Sequence, residues 1–132
     1  MLQTVKSSTI MSIEWHPISD FYIFDSEHRC RHRKDPPRKW LRLSCVYKIK
    51  IDSKIVHVGR SDTCRKHGPA EKVRKAIVQL LGLESYNPSV STTKMWQKIR
   101  LQHRPNSSNI HIGVIETKNV QRIYAQESQR TD

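Results

Sequence analysis

From Ser44 to Ile51 the chain alternates so regularly that a half-buried strand is the natural outcome. Tyr47, Ile49 and Ile51 fall on one face, and Lys48 and Lys50 on the other. Asp52, Ser53 and Lys54 interrupt the pattern, and a second β-branched run follows from Ile55 to Gly59. Two such runs joined by so short a polar segment read as an antiparallel hairpin. Its register decides which side chains can meet. A two-residue turn pairs Ile51 with Lys54 and puts Tyr47 and His57 on opposite faces unless a bulge restores them. A three-residue turn pairs Ile51 with Ile55 and puts them on one face. With neither Gly nor Asn in the turn, the three-residue form is the expectation.

The rest of the chain supplies the layers that such a hairpin needs. Gly68-Pro69 opens a helix whose apolar positions Val73, Ala76, Ile77, Leu80 and Leu81 recur at helical spacing, with Gly82 as its stop. Asn87-Pro88 breaks the chain again. A second helix is expected over about 91–102, with Met95, Trp96 and Ile99 inward and Lys94, Lys98 and Arg100 outward. Alternation at Ile110, Ile112 and Val114 gives a third strand over 110–115. Thr117 can cap a last helix with Val120, Ile123, Tyr124 and Glu127 on one face. The order β-β-α-α-β-α predicts an α+β fold, a three-stranded antiparallel sheet packed with helices. We read residues 44–132 as the domain and 1–43 as an N-terminal extension that carries a basic arm over 29–42. Within the extension, 21–24 could form a short strand or lid.

Charge narrows the function. The 132 residues hold 24 Lys and Arg against 12 Asp and Glu, a net charge of +12. Seven basic residues and one acid fall in 29–42, a segment split by Pro36-Pro37 and therefore not one helix. Such an arm suits phosphate contact by Arg31, Arg33, Lys34, Arg38 and Lys39, with Trp40 able to stack on a base or pack on the domain edge. Nucleic acid is the expected partner, DNA first and RNA as an option, and self-association on DNA is left open. No run approaches the 18 or more apolar residues of a membrane span. An odd count of three cysteines fits no closed disulfide framework, so a reducing compartment is expected: the cytoplasm, nucleoid or nucleus.

The hairpin residues, in this order, resemble the GIY-YIG nuclease family. Its first motif, Gly-Ile-Tyr, is similar to Cys45-Val46-Tyr47, and its second, Tyr-Ile-Gly, to His57-Val58-Gly59. Gly59-Arg60-Ser61 and Arg65 follow as the family's pattern suggests, then a third strand and a helix bearing Glu127. Cys45 replaces the leading Gly and His57 the second Tyr; before Asp132 nothing matches the Asn many members carry beyond the Glu helix. The resemblance spans about 44–128. It implies a metal-dependent DNA endonuclease in which Tyr47 deprotonates or orients the water, Arg65 stabilises the transition state and Glu127 binds one Mg²⁺ or Mn²⁺. From residue chemistry alone, His57 could itself be the base, and Arg60 and Lys66 follow the hairpin closely enough to lower the Tyr47 pKa and contact nucleic acid.

Periodicity independently puts Glu127 on the apolar stripe of its helix, where a carboxylate is costly without a cation or hydrogen-bond partners. Tyr47, His57, Arg65 and Glu127 are expected on one concave, positive face. A non-catalytic nucleic-acid-binding module explains the charge, the arm and Trp40 without using Tyr47, Arg65 and Glu127 together, and a small phage or viral interaction protein whose charge targets an acidic host protein is a third reading. His28, Cys30, His32, Cys64 and His67 could supply zinc ligands, but they lack CxxC spacing and lie among basic residues.

Overall fold

The computed structural model describes residues 13–25, 29–34, 44–61, 68–83 and 90–129. The expected hairpin is its centre, with β4 over Cys45–Ile51 and β5 over Lys54–Ser61. Before it come β1 (Glu14–Pro17), β2 (Tyr22–Phe24) and β3 (Cys30–His32). After it come α1 (Gly68–Leu81), α2 (Val90–His103), β6 (Ile110–Glu116) and α3 (Val120–Ser128).

The fold is α+β as expected, but among the described residues the main sheet has four strands, in the order β1-β6-β4-β5, and β2 and β3 form a second, two-stranded sheet. The fourth strand comes from the segment read as an extension. β1 pairs antiparallel with β6, His16 opposite Ile112, so residues 14–17 belong to the domain. A four-residue strand holding a His and a Pro has little propensity of its own, and pairing with the exposed edge of β6 stabilises it. The first residues of the basic arm are likewise built in. Cys30 is buried, its carbonyl accepts a hydrogen bond from Arg74 of α1 at 3.0 Å, and Tyr22 donates to the Ala70 carbonyl at 2.7 Å. Residues 35–42 of the arm lie outside the described residues.

α1 and α2 cover one face of the main sheet and α3 the other. The larger core joins Cys45, Tyr47, Ile49 and Ile51 to Val73, Ile77 and Leu80 of α1 and Trp96 of α2. A smaller one joins Val46 and Ile115 to Val120 and Ile123 of α3. α1 ends as expected. Gly82 has φ +67°, its N–H donates to the Gln79 carbonyl at 3.2 Å, and the Leu83 N–H reaches the Val78 carbonyl at 3.0 Å. This is a Schellman cap, which needs a residue tolerant of left-handed backbone. Arg100 of α2 also donates to the Gln79 carbonyl, at 2.9 Å, so α2 supplies a cation where the α1 dipole is negative. In α2, Trp96 is buried as expected, whereas Met95 is 43 % exposed and faces outward. Thr117 does not cap α3 through its side chain; its hydroxyl accepts from the Asn119 N–H at 3.0 Å, a turn preceding the helix.

Because β4 is central and covered on both faces, the alternating lysine at its middle is not solvated. Lys48 is 2 % exposed, and its Nζ lies 2.5 Å from Oε1 of Glu127, itself 5 % exposed. The cation that Glu127 requires is therefore Lys48. Removing one partner strands a buried charge, so Lys48→Ala or Glu127→Ala should each cost about 3–5 kcal/mol in urea denaturation, while the double change Lys48→Met with Glu127→Leu should recover most of it. Single-variant losses below about 1 kcal/mol would show that the pair is not sealed from water.

Candidate functional site

The hairpin closes differently from expectation and still brings its two aromatic residues together. Ile51 pairs with Lys54, so the turn is the two-residue form, Asp52-Ser53. Asp52 takes a φ of +54°, the left-handed geometry expected from Gly or Asn, which Asp also tolerates. Two residues further the register shifts: Lys50 pairs with Ile55 but Ile49 with His57, leaving Val56 as the extra residue of a bulge. The bulge returns His57 to the face of Tyr47, with ring centroids 6.0 Å apart. His57 also packs 5.0 Å from the ring of Trp96.

Tyr47 is opposite Gly59 and its ring lies across the glycine, in the space a Cβ would occupy. This close approach gives the glycine of the second motif a physical reason. Beyond this pair the sheet ends, where β4 begins and β5 and β6 finish. Cys45 is opposite Ser61 on one side and Glu116 on the other. The Thr117 N–H donates to the Ser44 carbonyl at 3.2 Å, and Lys72 of α1 donates to the Arg60 carbonyl at 2.9 Å. Directly opposed residues share a face, so Cys45, Tyr47, Ser61 and Glu116 all project from the side that carries α1 and α2.

Glu127 is on the other side. α3 packs against Val46, Val58 and Ile115, and the carboxylate reaches Lys48 from there. The expected convergence of Tyr47, His57 and Glu127 is thus met for the first two and not for the third. Arg60 also projects toward α3, its guanidinium 4.8 Å over the Tyr124 ring, anchored on that face rather than beside Tyr47. Arg31 is 59 % exposed and bonds Asp25 at 3.1 Å; Arg33 and Lys34 are exposed. Arg65, Lys66, Arg38, Lys39 and Trp40 lie outside the described residues, as do His28, Cys64 and His67. Of the remaining zinc candidates, Cys30 is in the core and His32 bonds Glu71 at 2.7 Å.

Burial sets the protonation states. It pushes the Tyr47 hydroxyl well above its ordinary value, with Cys45 and Tyr124 adding to the effect, so it keeps its proton at neutral pH and acts as a donor. It pushes the Cys45 thiol up to about 12, against the pull of the Lys72 ammonium, which excludes a resting thiolate nucleophile. It holds His57 down to about 4. Neutral His57 is then a packing partner of Tyr47 more than a titrating base.

A divalent cation does not fit Glu127, whose carboxylate is taken by Lys48. Among the described residues no three His, Cys, Asp or Glu side chains are grouped to hold a metal. The carboxylate that does share Tyr47's face is Glu116, exposed at the end of β6. It was legible in principle: the alternation Ile110, Ile112, Val114 continues to Glu116, one residue past where the strand was expected to end. Mg²⁺ and Mn²⁺ accept a single protein carboxylate when phosphate oxygens and water complete the shell.

No family model matches this chain, and no curated protein or solved structure matches it.

Two measurements follow from the site's packing. Gly59→Ala should displace the Tyr47 ring and destabilise the fold by about 1–3 kcal/mol, as overpacking does; Tyr47→Ala in the same background should relieve part of that penalty, and strict additivity would separate the two residues. His57 is a pH-linked group of this site. Its folded pKa of about 4 lies below the ordinary 6.5, so its contribution is complete above pH 6.5 and is lost as the pH falls toward 4. Melting curves of the protein should decline over that window, and His57→Gln should flatten the decline; an unchanged slope would place His57 in water.

Proposed function

We propose that the chain binds DNA and hydrolyses a phosphodiester at the end of the sheet where β4 begins and β5 and β6 finish. The supporting observation is that the register puts Tyr47, set across Gly59, on the same face as Glu116, at the point where the chain leaves β5 toward Arg65 and Lys66. The motifs that resemble the GIY-YIG nucleases fall at this end of the hairpin.

In this reading Tyr47 keeps its proton and donates to a phosphate oxygen or orients the attacking water. His57 fixes the Tyr47 ring from the side of Trp96. Glu116 would hold one Mg²⁺ or Mn²⁺, which supplies Lewis-acid polarisation of the phosphoryl group when bound. Lys72, Lys118 and Arg122, all exposed, give this end of the sheet a positive field that draws in the polyanion. Arg65 remains the proposed cation for the charge that develops at the transition state.

The alternative, DNA binding without cleavage, is favoured by one specific observation: the buried Tyr47 and Cys45 both hold their protons, so neither supplies a base in the resting site.

Nicking of supercoiled plasmid with and without Mg²⁺ or Mn²⁺ separates the two. Metal-dependent nicking is expected, lowered about 10²-fold or more in Tyr47→Phe. Glu116→Gln should remove the metal dependence and keep DNA binding, whereas Glu127→Gln, assayed well below its melting temperature, should nick normally. DNA binding with no nicking by the unaltered protein would establish the alternative, and full activity of Glu116→Gln would overturn the site.

A further inference from the structure

The formal excess of +12 has to sit somewhere, and the described carboxylates indicate where. Asp25 is engaged by Arg29 and Arg31, Glu71 by Arg74 and His32, and Glu127 by Lys48. Each of these acids cancels basic charge locally. α2 is different, since no acid occurs between Val90 and His103. Lys94 and Lys98 stand one turn apart on its exposed side, and Arg104 follows, also exposed. Among the described residues no carboxylate engages Lys54, Lys94, Lys98 or Arg104.

The course of α2 relates this charge to the sheet. Trp96 meets His57, which is opposite Ile49 near the middle of the hairpin. Further along, Ile99, Gln102 and His103 line a groove of about 590 Å³ with Lys54, Ile55 and Val56, at the hairpin turn. Among the described residues β5 is an edge strand of the main sheet. The helix therefore lies along that edge, running from the Tyr47 end toward the turn. From Lys94 to His103 it advances about 14 Å at 1.5 Å per residue. From Tyr47 to Ile51 the strand advances a similar distance, about 14 Å.

We propose that the outer face of α2, with Lys94, Lys98 and the Lys54 rim of the groove, is a backbone-tracking surface. It grips the phosphates of the DNA duplex whose scissile bond lies at Tyr47. The inference rests on the proposed function and adds where the flanking DNA runs. At about 3.4 Å per base pair, a 14 Å track holds roughly four base pairs beyond the reacting phosphate, on one side only. Lysines without planar, bidentate geometry suit this role, because backbone contacts position a duplex without reading its sequence. An acidic protein segment would meet the same charges; continuity with the phosphodiester end of the sheet favours DNA.

The test is fluorescence anisotropy of a labelled duplex of about 30 base pairs over a range of KCl, using the full chain and the triple variant Lys54→Gln, Lys94→Gln, Lys98→Gln. Three lost phosphate contacts should reduce the slope of log K against log salt by about 2.7, and the triple Lys→Arg variant should keep it. These side chains are exposed, so an unchanged melting temperature confirms that all variants are folded. A full slope in the Gln variant, with the unaltered protein binding DNA, overturns the track and leaves the proposed function standing. Failure of the unaltered protein to bind DNA with a salt-dependent affinity overturns both.

Discussion

Everything in this fold hangs on β4 being buried on both faces. A strand flanked by β6 and β5 and covered by helices above and below has no solvent side, so its alternation cannot be the usual apolar-in, polar-out division. Lys48 is the residue that registers the conflict. Its position is acceptable only because α3 delivers Glu127 to it, and the pair links the last helix to the central strand. A buried pair of this kind adds little net stability over an apolar replacement, but it penalises any packing of α3 that separates the charges. The ion pair is thus better read as fixing the seat of α3 than as a source of stability.

The same strand sets the chemistry on its other face. Had the two-residue turn been followed by regular pairing, His57 would have pointed toward α3. The bulge at Val56 reverses this and places His57 between Tyr47 and Trp96. Tyr47 in turn lies across Gly59, so a hairpin irregularity, a missing side chain and an aromatic cluster together hold one hydroxyl at the end of the sheet. The consequence for mechanism is that burial which positions Tyr47 also keeps it protonated. Positioning and basicity are in opposition here, and any catalytic role has to use the hydroxyl as a donor unless a bound cation lowers its pKa.

Local patterns carried much of this. The hairpin runs, the α1 stripe with its Gly82 cap and the β6 alternation depend on neighbours a few residues apart, and they are readable for that reason. What was hidden is non-local. Nothing near Glu14–Pro17 says that these residues pair with a strand about a hundred positions later, and that pairing turned an extension into part of the sheet. The spacing of Glu127 showed that it needed a cation, yet periodicity cannot distinguish a metal from a lysine on another element. Lys48 looked solvated because alternation gives two faces and is silent on whether both are covered. Asp52 hid the turn type, since Asp adopts left-handed backbone less often than Gly but does adopt it.

The pairing of acids within the chain has a consequence for the charge that the described surface presents. Each carboxylate drawn into an ion pair organises one joint of the fold: Glu71 holds β3 to α1 through His32, and Asp25 engages Arg29 and Arg31 where β2 passes into β3. Acids committed to such joints are not available to mask basic residues elsewhere. The positive field of α2, and of the sheet end near Lys72 and Lys118, is then a by-product of how the fold is held together as much as a feature added to it. On the proposed reading, attraction to a polyanion follows from this distribution of charge and does not depend on the hydrolysis proposed at Tyr47.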